Sequence, residues 1–375
     1  MIEVRPVTTR RDYSDFLRVP HIVQGHDPNW VPPLTLERRL HFSHRNPYFA
    51  HAEACYFVAY DDRRPVGRIS AQIDELAQPG EARDIGHFGC LEARDAETVS
   101  ALAGTAEGWL ADRGIAKLQG PFSLSINDEV GLLVEGFDTP PRMLMNYAPP
   151  WYAEALAAAG YTKAKDIFAY RFDGDRPLPD RAAWLADQAE TTAGLVERPM
   201  DPSRFREELR TVVSIFNDAW SENWGFIPMT EAEAAAMTDN MRPLIRPDMV
   251  RFVERDGEPV AMVVALPDLH DAIADFEGRL LPLNWARLVY RLKTGRFRGA
   301  RVLLMGVRKA HRRGLLGGAV AALLVSRLHA AARAYGFHEV ELSWVLEDNK
   351  PIRALIETLG GEAYKRYRIF EKALV

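Results

Sequence analysis

The stretch ARVLLMGVRKAHRRGLLGGAV, Ala300–Val320, decides how the rest of the chain is interpreted. Its apolar first half, Val302–Val307, predicts a buried strand, and its second half begins a helix. The turn between them carries basic residues and glycines: Arg308, Lys309, His311, Arg312, Arg313, Gly314, Gly317 and Gly318. A helix N-terminus presents unpaired N–H groups and a positive dipole end. The turn is therefore either a phosphate site or a basic surface turn.

The glycine pattern of this turn excludes two common phosphate motifs. No Gly-Lys-Ser/Thr follows at the spacing of a P-loop, and the G-x-G-x-x-G of dinucleotide-binding folds is absent. Glycines still allow a phosphate to approach the backbone closely. The turn alone therefore leaves both interpretations open.

Two predicted hairpins lie before such helices, about two hundred residues apart. CYFVAYDDRRPVGRISAQID begins at Cys55 and has apolar runs on both sides of a polar turn. MVRFVERDGEPVAMVVAL, Met249–Leu266, repeats the design with Gly257 in its turn.

Later segments of the chain also occur in pairs. Ala96–Gly120 and Gly317–Ser343 each predict an alanine-rich helix, a terminal glycine and a strand. Ala153–Phe172 and Arg353–Lys372 align without a gap and each predict a short helix, a glycine stop and a hairpin-like pair of strands. These pairs indicate that one domain is present twice.

The predicted fold class is α/β (α+β), with two tandem domains that each have a mixed, mostly antiparallel sheet flanked by helices. The first domain covers 1–175 and the second 201–375. The proline-bearing stretch from Phe172 to Trp184 favours a linker, placed at 176–200.

The second domain contains an insertion, Asp268–Gly299, with apolar and basic residues at helical spacing. Trp285, Leu288, Val289 and Leu292 fall on one side, and Arg287, Arg291, Lys293, Arg296, Arg298 and Arg301 add positive charge. This is either a helix packed on its own domain or a lid or membrane-facing element that receives an apolar substrate.

Composition excludes several classes of protein. A net charge of −5 argues against a general nucleic-acid binder. The two cysteines, Cys55 and Cys90, lack metal-ligand spacing, and no metal site is predicted. No run of about 18 apolar residues and no signal-peptide pattern is present. We therefore expect a cytoplasmic protein, with peripheral contact to the inner membrane left open.

The order of strand, basic glycine turn, helix, strand, helix and strand pair resembles the Gcn5-related N-acetyltransferase (GNAT) superfamily. Its turn has the form V-x-x-x-x-R-x-x-G-x-G/A and binds the pyrophosphate of an acyl-coenzyme A. Val307, Arg312 and Gly317 match this form, while Leu315 replaces the usual middle glycine. The resemblance implies acyl-coenzyme A as co-substrate, held by Arg312, Arg313, Gly314, Gly317 and Gly318. The first copy has the acidic, glycine-free LEARDAETVS at this place, so we expect no coenzyme A there.

Four further segments narrow the resemblance: Glu341–Lys372, Asn217–Thr230, Gly120–Pro141 and His26–Leu34. Together they are similar to a bacterial family of double-domain acyltransferases that includes the bacterial ceramide synthases. The resemblance implies transfer of a long fatty acyl group to the amine of a sphingoid base, 3-ketosphinganine or sphinganine. A small-molecule N-acetyltransferase and a non-catalytic acyl-coenzyme A or lipid-binding protein remain as alternatives.

Aminolysis of a thioester requires a proton acceptor for the amine, donors for the oxyanion and a proton for the leaving thiolate. Backbone N–H groups from Met305 to Val307 are expected at the carbonyl. Glu347 is the predicted general base, and Tyr364 and Tyr367 are each either the thiolate's proton donor or a core residue. Asn349 is either a helix cap or a coenzyme A contact. His311 is either a phosphate contact or a surface residue.

The predicted substrate residues are aromatic, apart from one amide. Trp220, Trp224 and Phe226 either pack the core between domains or line an acyl tunnel. Asn127, in the Asn-Asp-Glu run of the first copy, is a relic, part of a turn or a group that reaches the cleft. We expect a monomer or a weak dimer, because a fused double copy can take the place of a dimer.

Overall fold

The computed structural model describes residues 2–78, 84–191, 194–295 and 297–374. They form two compact units. The N-terminal unit comprises Met1–Ile167, Ile273–Asn284 and Lys365–Val375, and the C-terminal unit comprises Phe168–Ala272 and Trp285–Tyr364. The bounds 1–175 and 201–375 describe the two copies read from the sequence and stay a prediction. The segment Lys365–Val375 lies in the N-terminal unit.

The helices and strands follow the duplicated order. The helices are α1 (Arg10–Gln24), α2 (Thr35–His41), α3 (Ala96–Ala111), α4 (Tyr152–Ala158), α5 (Asp180–Glu190), α6 (Phe205–Trp220), α7 (Glu231–Met241), α8 (Leu269–Ile273), α9 (Asn284–Thr294), α10 (Gly314–Ala334) and α11 (Lys350–Thr358). The strands are β1 (Glu3–Pro6), β2 (Ala52–Asp61), β3 (Arg64–Asp74), β4 (Ile85–Ala93), β5 (Lys117–Gly120), β6 (Leu132–Glu135), β7 (Thr162–Asp173), β8 (Leu195–Pro199), β9 (Val250–Arg255), β10 (Glu258–Pro267), β11 (Gly299–Val307), β12 (Glu339–Leu346) and β13 (Glu362–Ala373).

The sheet of the N-terminal unit has the strand order β1-β2-β3-β4-β5-β13. β2 and β3 pair from Ala52↔Asp74 to Asp61↔Arg64, which confirms the first predicted hairpin. β4 and β5 are parallel, and the C-terminal strand β13 pairs antiparallel with β5 from Phe370↔Gly120 onward. The last residues of the chain therefore complete the first sheet.

The sheet of the C-terminal unit has the strand order β8-β9-β10-β11-β12-β7. β9 and β10 pair from Glu258↔Arg255, which confirms the second hairpin. β10 and β11 are antiparallel, whereas β11 and β12 are parallel. The predicted fold class, a mixed and mostly antiparallel sheet flanked by helices, is confirmed.

Paired helices end as predicted at glycines in the left-handed region. Gly114 follows α3 and Gly336 follows α10, with φ of +77° and +74°. Gly160 and Gly360 follow α4 and α11, with φ of +90° and +92°. Positive φ is readily adopted only by residues without a Cβ, so these positions terminate the helices.

The strand pairs predicted after Gly160 and Gly360 are wrong. β7 and β13 are single strands of 12 residues each. Neither contains a glycine, proline or asparagine at which the chain could reverse, so the strand continues.

The stretch predicted as a linker, 176–200, is largely regular structure within the C-terminal unit. It contains α5 and β8, and β8 pairs with β9 from Leu195↔Arg255. α5 packs against α10, where Glu190 pairs with Arg327. α5 is rich in alanine, a strong helix former, and it buries Ala182, Ala186 and Ala189.

Each unit has its own apolar core. In the N-terminal unit, Phe16 and Val19 of α1 pack with Val58 and Tyr60 of β2. In the C-terminal unit, Ile215 and Phe216 of α6 pack with Phe252, Met262 and other residues of β9 and β10. α1 and α6 therefore take equivalent places on the two sheets. No helix among the described residues is long and apolar enough to cross a bilayer.

Candidate functional site

Strands β11 and β12 separate partway along their length. They pair at only four positions, from Gly299↔Glu339 to Val302↔Leu342. β11 continues to Val307, still paired with β10 on its other side. From Leu303 onward, β11 has no strand partner on the β12 side within the described residues, so backbone groups at Met305 and Val307 face an opening. We call this opening the donor fork.

α10 begins at the open end of the donor fork without a side-chain cap. Gly314 opens the helix with φ of +73°, and the residue before it, Arg313, makes no capping hydrogen bond. A Cβ on Gly317 would lie 2.3 Å from the carbonyl oxygen of Arg312, so only glycine fits there. A Cβ on Gly318 would meet nothing within 4 Å. The helix N-terminus therefore presents its N–H groups for an anion.

The N-terminus of α3, the helix of the N-terminal unit that corresponds to α10, is capped by a side chain. The Asp95 side chain caps α3, accepting from the backbone N–H of Thr98 at 2.9 Å. A carboxylate at this point repels a phosphate and occupies the donors that a phosphate would need. Of these two helix N-termini, that of α10 is the one suited to phosphate.

Two basic residues of the turn are held by neighbouring elements. Arg308 donates from Nε to the carbonyl of Pro259 at 2.9 Å and from a terminal nitrogen to the hydroxyl of Ser214 at 2.9 Å. The backbone N–H of Lys309 donates to Asp218 at 2.8 Å, and its ammonium group donates to Ser221 at 2.8 Å. These contacts fix the turn against α6 and β10.

The other basic residues differ in their contacts. Arg312 forms an ion pair with Glu222. Arg313 is exposed, and its side chain has no hydrogen bond or ion pair among the described residues. His311 is half-buried, and its backbone N–H donates to the carbonyl of Arg308 at 2.8 Å. Arg313 is thus the basic side chain with its charge available to a ligand.

A buried polar network lies at the closed end of the donor fork. Arg301 of β11 stands opposite Glu341 of β12, with Nε 3.7 Å from its Oε1. Arg301 also donates from Nε to the Ser343 hydroxyl at 2.7 Å, and that hydroxyl donates to Glu341. Each of the three residues is less than one tenth exposed. Buried charges of this kind require partners, and here they have them.

Tyr364 joins this network from β13. Its hydroxyl donates to Oε2 of Glu341, and the guanidinium group of Arg171 lies 5.5 Å from the centre of its ring. The predicted proton donor is therefore attached to the network at the base of the donor fork, beside a positive charge.

The end of β12 carries the predicted base. Glu347 is half-buried, and its carbonyl accepts from Arg353 at 3.1 Å. Asn349 stands at the N-cap position of α11, but its side chain makes no capping hydrogen bond. Asn349 therefore occupies the predicted cap position without a side-chain capping bond, and its contact with coenzyme A stays a prediction.

The predicted aromatic residues lie against the core of the C-terminal unit. The Trp220 ring is 4.9 Å from that of Phe216 and covers Gly306 of β11, where a Cβ would lie 2.4 Å from it. Phe226 is 5.9 Å from Phe216. The Asn217 side chain fixes the loop that follows α6. Its amide nitrogen donates to the carbonyl of Met229, and its amide oxygen accepts from the Met229 N–H, each at 3.0 Å. Trp224 is half-buried in this loop. Trp220 and Phe226 thus belong to one domain's core.

Two predicted site residues lie in the N-terminal unit. Tyr367 is fully buried and stands opposite Leu133 of β6, close to Gly131. Asn127 is half-buried, and its backbone N–H donates to the Ser125 hydroxyl at 3.2 Å. The catalytic role of Tyr367 and the substrate-binding role of Asn127 stay predictions.

Of the four apolar residues predicted to share a helix face of the insertion, two are exposed, whereas Leu288 and Leu292 are half-buried. α9 has no buried residue, and Trp285 and Val289 are 52% and 42% exposed. Leu281, Leu283 and Tyr290 add further exposed apolar area. Arg291 donates to the carbonyl of Ala272 at 2.7 Å. Arg296 lies outside the described residues.

The residues of the donor fork fit an acyl-coenzyme A. The uncapped α10, the close approach at Gly317 and the exposed Arg313 provide an anion site. The free edge of β11 provides backbone donors for a carbonyl or amide. Among the described residues, no group of three histidine, cysteine or carboxylate side chains is placed to hold a metal ion.

The buried network was not foreseen from the sequence, although a signal for it was present. Glu341 and Ser343 alternate with apolar residues in VELSWVL, which places both side chains on one face of β12. A glutamate on the buried face of a strand requires a cation, and Arg301 in ARVLLM was such a candidate.

Solved structures with the same fold include GNAT proteins. A tandem GNAT protein of the clavulanic acid biosynthesis pathway aligns with a TM-score of 0.58 at 17% identity, covering 100% of this chain and 99% of its own. A GCN5-related N-acetyltransferase from Sphaerobacter thermophilus aligns with a TM-score of 0.55 at 14% identity, covering 100% and 96%. These likenesses show that the chain has the fold of a tandem GNAT protein.

Two curated proteins are similar along their whole length. The bacterial ceramide synthase of Caulobacter vibrioides is 43% identical over 376 aligned residues, covering 100% of this chain and 98% of that protein. Protein YghO of Escherichia coli is 40% identical over 373 residues, covering 99% and 95%. The chain belongs to the family of this bacterial ceramide synthase. No family model matches the sequence.

Proposed function

We propose that this protein transfers a long-chain fatty acyl group from acyl-coenzyme A to the amine of a sphingoid base, 3-ketosphinganine or sphinganine. The observation that carries the proposal is the 43% identity, over the full chain, to a protein named bacterial ceramide synthase. The product is an N-acyl amide, a ceramide or its keto form.

The acyl donor binds in the donor fork. Its pyrophosphate lies at the N-terminus of α10, with Gly317 permitting close approach and Arg313 adding positive charge. Its thioester lies along the free edge of β11, where backbone N–H groups from Met305 to Val307 polarise the carbonyl.

The chemical step is an aminolysis. The neutral amine nitrogen attacks the thioester carbon, the C–N bond forms, and the C–S bond breaks to release the coenzyme A thiolate. Glu347 accepts the proton that the nitrogen loses, and Tyr364 donates a proton to the thiolate. Glu341 holds the Tyr364 hydroxyl and receives its hydrogen bond, which orients the acid.

The exposed apolar face of α9 meets the membrane surface from which a lipid amine is taken. Trp285, Val289 and Tyr290 are exposed together with Arg287 and Lys293, which suits insertion among anionic headgroups. Co-sedimentation with phosphatidylglycerol vesicles should fall for Trp285→Ser with Val289→Ser and be weak with phosphatidylcholine alone. Equal sedimentation of this double variant and the parent protein would contradict it.

A lipid comparison tests the function in cells. Cells that contain the protein should accumulate N-acylated sphingoid lipids by mass spectrometry, and cells with the Tyr364→Phe protein should accumulate less. Identical lipid profiles with and without the protein, in cells that make sphingoid bases, would contradict the sphingoid substrate.

A further inference from the structure

β12 continues beyond the point where it stops pairing with β11. The last paired position is Val302↔Leu342, and β12 extends from there to Leu346. On its other side, the neighbouring strand of the sheet is β7. Glu347, the proposed proton acceptor, is the first residue after β12. The position of Glu347 therefore depends on the contacts that hold the end of β12.

A tight turn joins the end of β12 to α11. The N–H of Asn349 donates to the carbonyl of Leu346 at 3.1 Å, and the N–H of Arg353 donates to the carbonyl of Asn349 at 3.1 Å. Pro351, in the first turn of α11, has no N–H to donate and favours a helix start at this place. These bonds determine where α11 begins, and they bring the Arg353 side chain close to the turn.

The Arg353 guanidinium group holds the carbonyl of Glu347. Its terminal nitrogen Nη1 donates to that carbonyl at 3.1 Å. Its Nε donates to the hydroxyl of Tyr170 in β7 at 2.8 Å, and its central carbon lies 4.1 Å from the centre of the Phe168 ring. One planar group thus joins β7, the end of β12 and α11, and all of these residues belong to the C-terminal unit.

The β7 side of this contact is firmly placed. Tyr170 is fully buried, and its hydroxyl lies 3.4 Å from Oε1 of Glu357 in α11. Phe168 is half-buried and lies two residues before Tyr170, on the same face of the strand. The two rings therefore provide a fixed surface for the guanidinium group.

The helix itself does not explain a cation at this position. A helix N-terminus carries partial positive charge, which disfavours a basic residue near it. Arg353 is the fourth residue of α11, and the first turn contains no acidic residue that would offset its charge. Stacking on Phe168 and the hydrogen bonds to Tyr170 and Glu347 provide the compensation.

We propose that Arg353 is a positioning residue for acyl transfer. By holding the carbonyl of Glu347, it fixes the backbone from which the Glu347 carboxylate reaches the proton of the attacking amine. Arg353 itself touches neither the donor nor the amine. This role rests on the proposed function, in which Glu347 is the base.

Lysine cannot replace Arg353 in this role. A guanidinium group stacks on a ring and donates in fixed directions, whereas an ammonium group is a compact point charge on a flexible stem. Arg353→Lys retains the positive charge and the helix, but it cannot stack on Phe168 and bond to both Tyr170 and Glu347 in the same way. This substitution therefore loosens the Glu347 carbonyl without removing the charge.

A double-mutant cycle on kcat tests the positioning role. Arg353→Lys should lower kcat by about tenfold or more and leave KM for the acyl donor within about twofold, because the donor binds at α10. Glu347→Gln should lower kcat by about 10²-fold or more, as expected for loss of a general base. In the Glu347→Gln protein, Arg353→Lys should change the remaining kcat by less than about twofold, since no base is left to position. An equal loss of kcat in both backgrounds would overturn the proposal.

Tyr170→Phe provides a second route to the same result. It removes the hydroxyl that accepts from Nε of Arg353 and leaves the arginine itself in place. It should lower kcat by about threefold or more in the parent protein and by less than about twofold in the Glu347→Gln protein. Equal factors in the two proteins would contradict the positioning role.

Arg198→Lys is the matched control in the same unit. The Arg198 guanidinium group lies 4.8 Å from the centre of the Phe252 ring and donates to the carbonyl of Pro199 at 3.2 Å. This variant should have a lower melting temperature, but its kcat should stay within about twofold of the parent value. A loss of kcat as large as that of Arg353→Lys would show that loosening any stacked arginine slows the enzyme, and would overturn the proposal.

The positioning role and the proposed function fail separately in these measurements. If the parent protein acylates 3-ketosphinganine and the substitutions at 353 and 347 act independently, the function stands and the positioning role is wrong. If it acylates only a different amine and the substitutions are coupled, the sphingoid substrate is wrong and the positioning role stands. An unchanged kcat in Glu347→Gln would overturn the positioning role alone, and absence of acyl transfer to any amine would overturn both.

Discussion

The Tyr364 hydroxyl donates a hydrogen bond to the buried carboxylate of Glu341. Glu341 is fully buried and also accepts from Ser343, beside Arg301. The acid proposed for the leaving thiolate is therefore oriented by a network that holds together the two strands of the donor fork. The same buried network therefore stabilises the fold and orients the proposed acid.

Removal of the Tyr364 hydroxyl should reduce turnover without abolishing donor binding. Tyr364→Phe should lower kcat by about 10²-fold or more, the scale of one general acid, and leave the dissociation constant for coenzyme A within about twofold. Stopped-flow measurement of thiol release and calorimetry provide the two values. An unchanged kcat would show that Tyr364 is a core residue.

Glu341→Gln should act mainly on stability. It leaves Arg301 without its carboxylate in a buried site, a change that typically costs about 3–5 kcal/mol. Urea unfolding followed by fluorescence measures this cost. A variant as stable as the parent protein would mean that Ser343 and the backbone satisfy Arg301 alone.

Adjacent glycines of α10 provide a matched pair. Gly317→Ala places a methyl group 2.3 Å from the Arg312 carbonyl oxygen and should displace the turn, weakening donor binding by about tenfold or more. Gly318→Ala meets nothing within 4 Å and should bind the donor as before, with a slightly more stable helix. Equal donor affinity of the two variants would place the pyrophosphate elsewhere.

Arg313 and Arg308, two basic residues of the turn, should have different roles. Arg313→Ala should raise KM for acyl-coenzyme A by about tenfold with little change in kcat, as expected for ground-state binding. Arg308→Ala should instead lower the melting temperature, because Arg308 bonds to Pro259 and Ser214. Steady-state kinetics at two salt concentrations and thermal melting distinguish these two roles. An unchanged KM for Arg313→Ala would show that Arg313 is a surface residue that does not bind the donor.

The pH dependence of stability should reveal Glu92. The folded protein holds its proton up to a pKa of about 7, whereas the ordinary value is 4.5. The unfolded state therefore releases this proton first, and the free energy of unfolding falls as pH rises from about 4.5 through about 7, by up to about 3 kcal/mol. Glu92→Gln should flatten this part of the urea-unfolding profile. Parallel profiles would contradict the raised pKa.

Local patterns in the sequence predicted the local structure well. The apolar run before Arg308 and the glycines after it predicted β11 and α10, and the hairpins around Asp62 and Gly257 are where the turn residues predicted them. Glycine stops predicted the helix ends at Gly114, Gly160, Gly336 and Gly360.

Relationships between distant residues could not be predicted in the same way. The pairing of β13 with β5 joins Phe370 to Gly120, and no periodicity within either strand specifies that partner. The contact of Arg38 with Glu129 likewise depends on tertiary packing between α2 and a loop. Each residue was visible in the sequence, but its partner was determined only by the folded sheet.

Amide formation by the purified protein tests the central claim most directly. Protein mixed with palmitoyl-coenzyme A and 3-ketosphinganine should release free thiol and form the N-palmitoyl product in equal amounts, measured by thiol titration and mass spectrometry. Tyr364→Phe serves as the slow control, and acetyl-coenzyme A with polar amines serves as the competing pair. Turnover with the acetyl donor and polar amines alone would contradict acylation of a lipid amine.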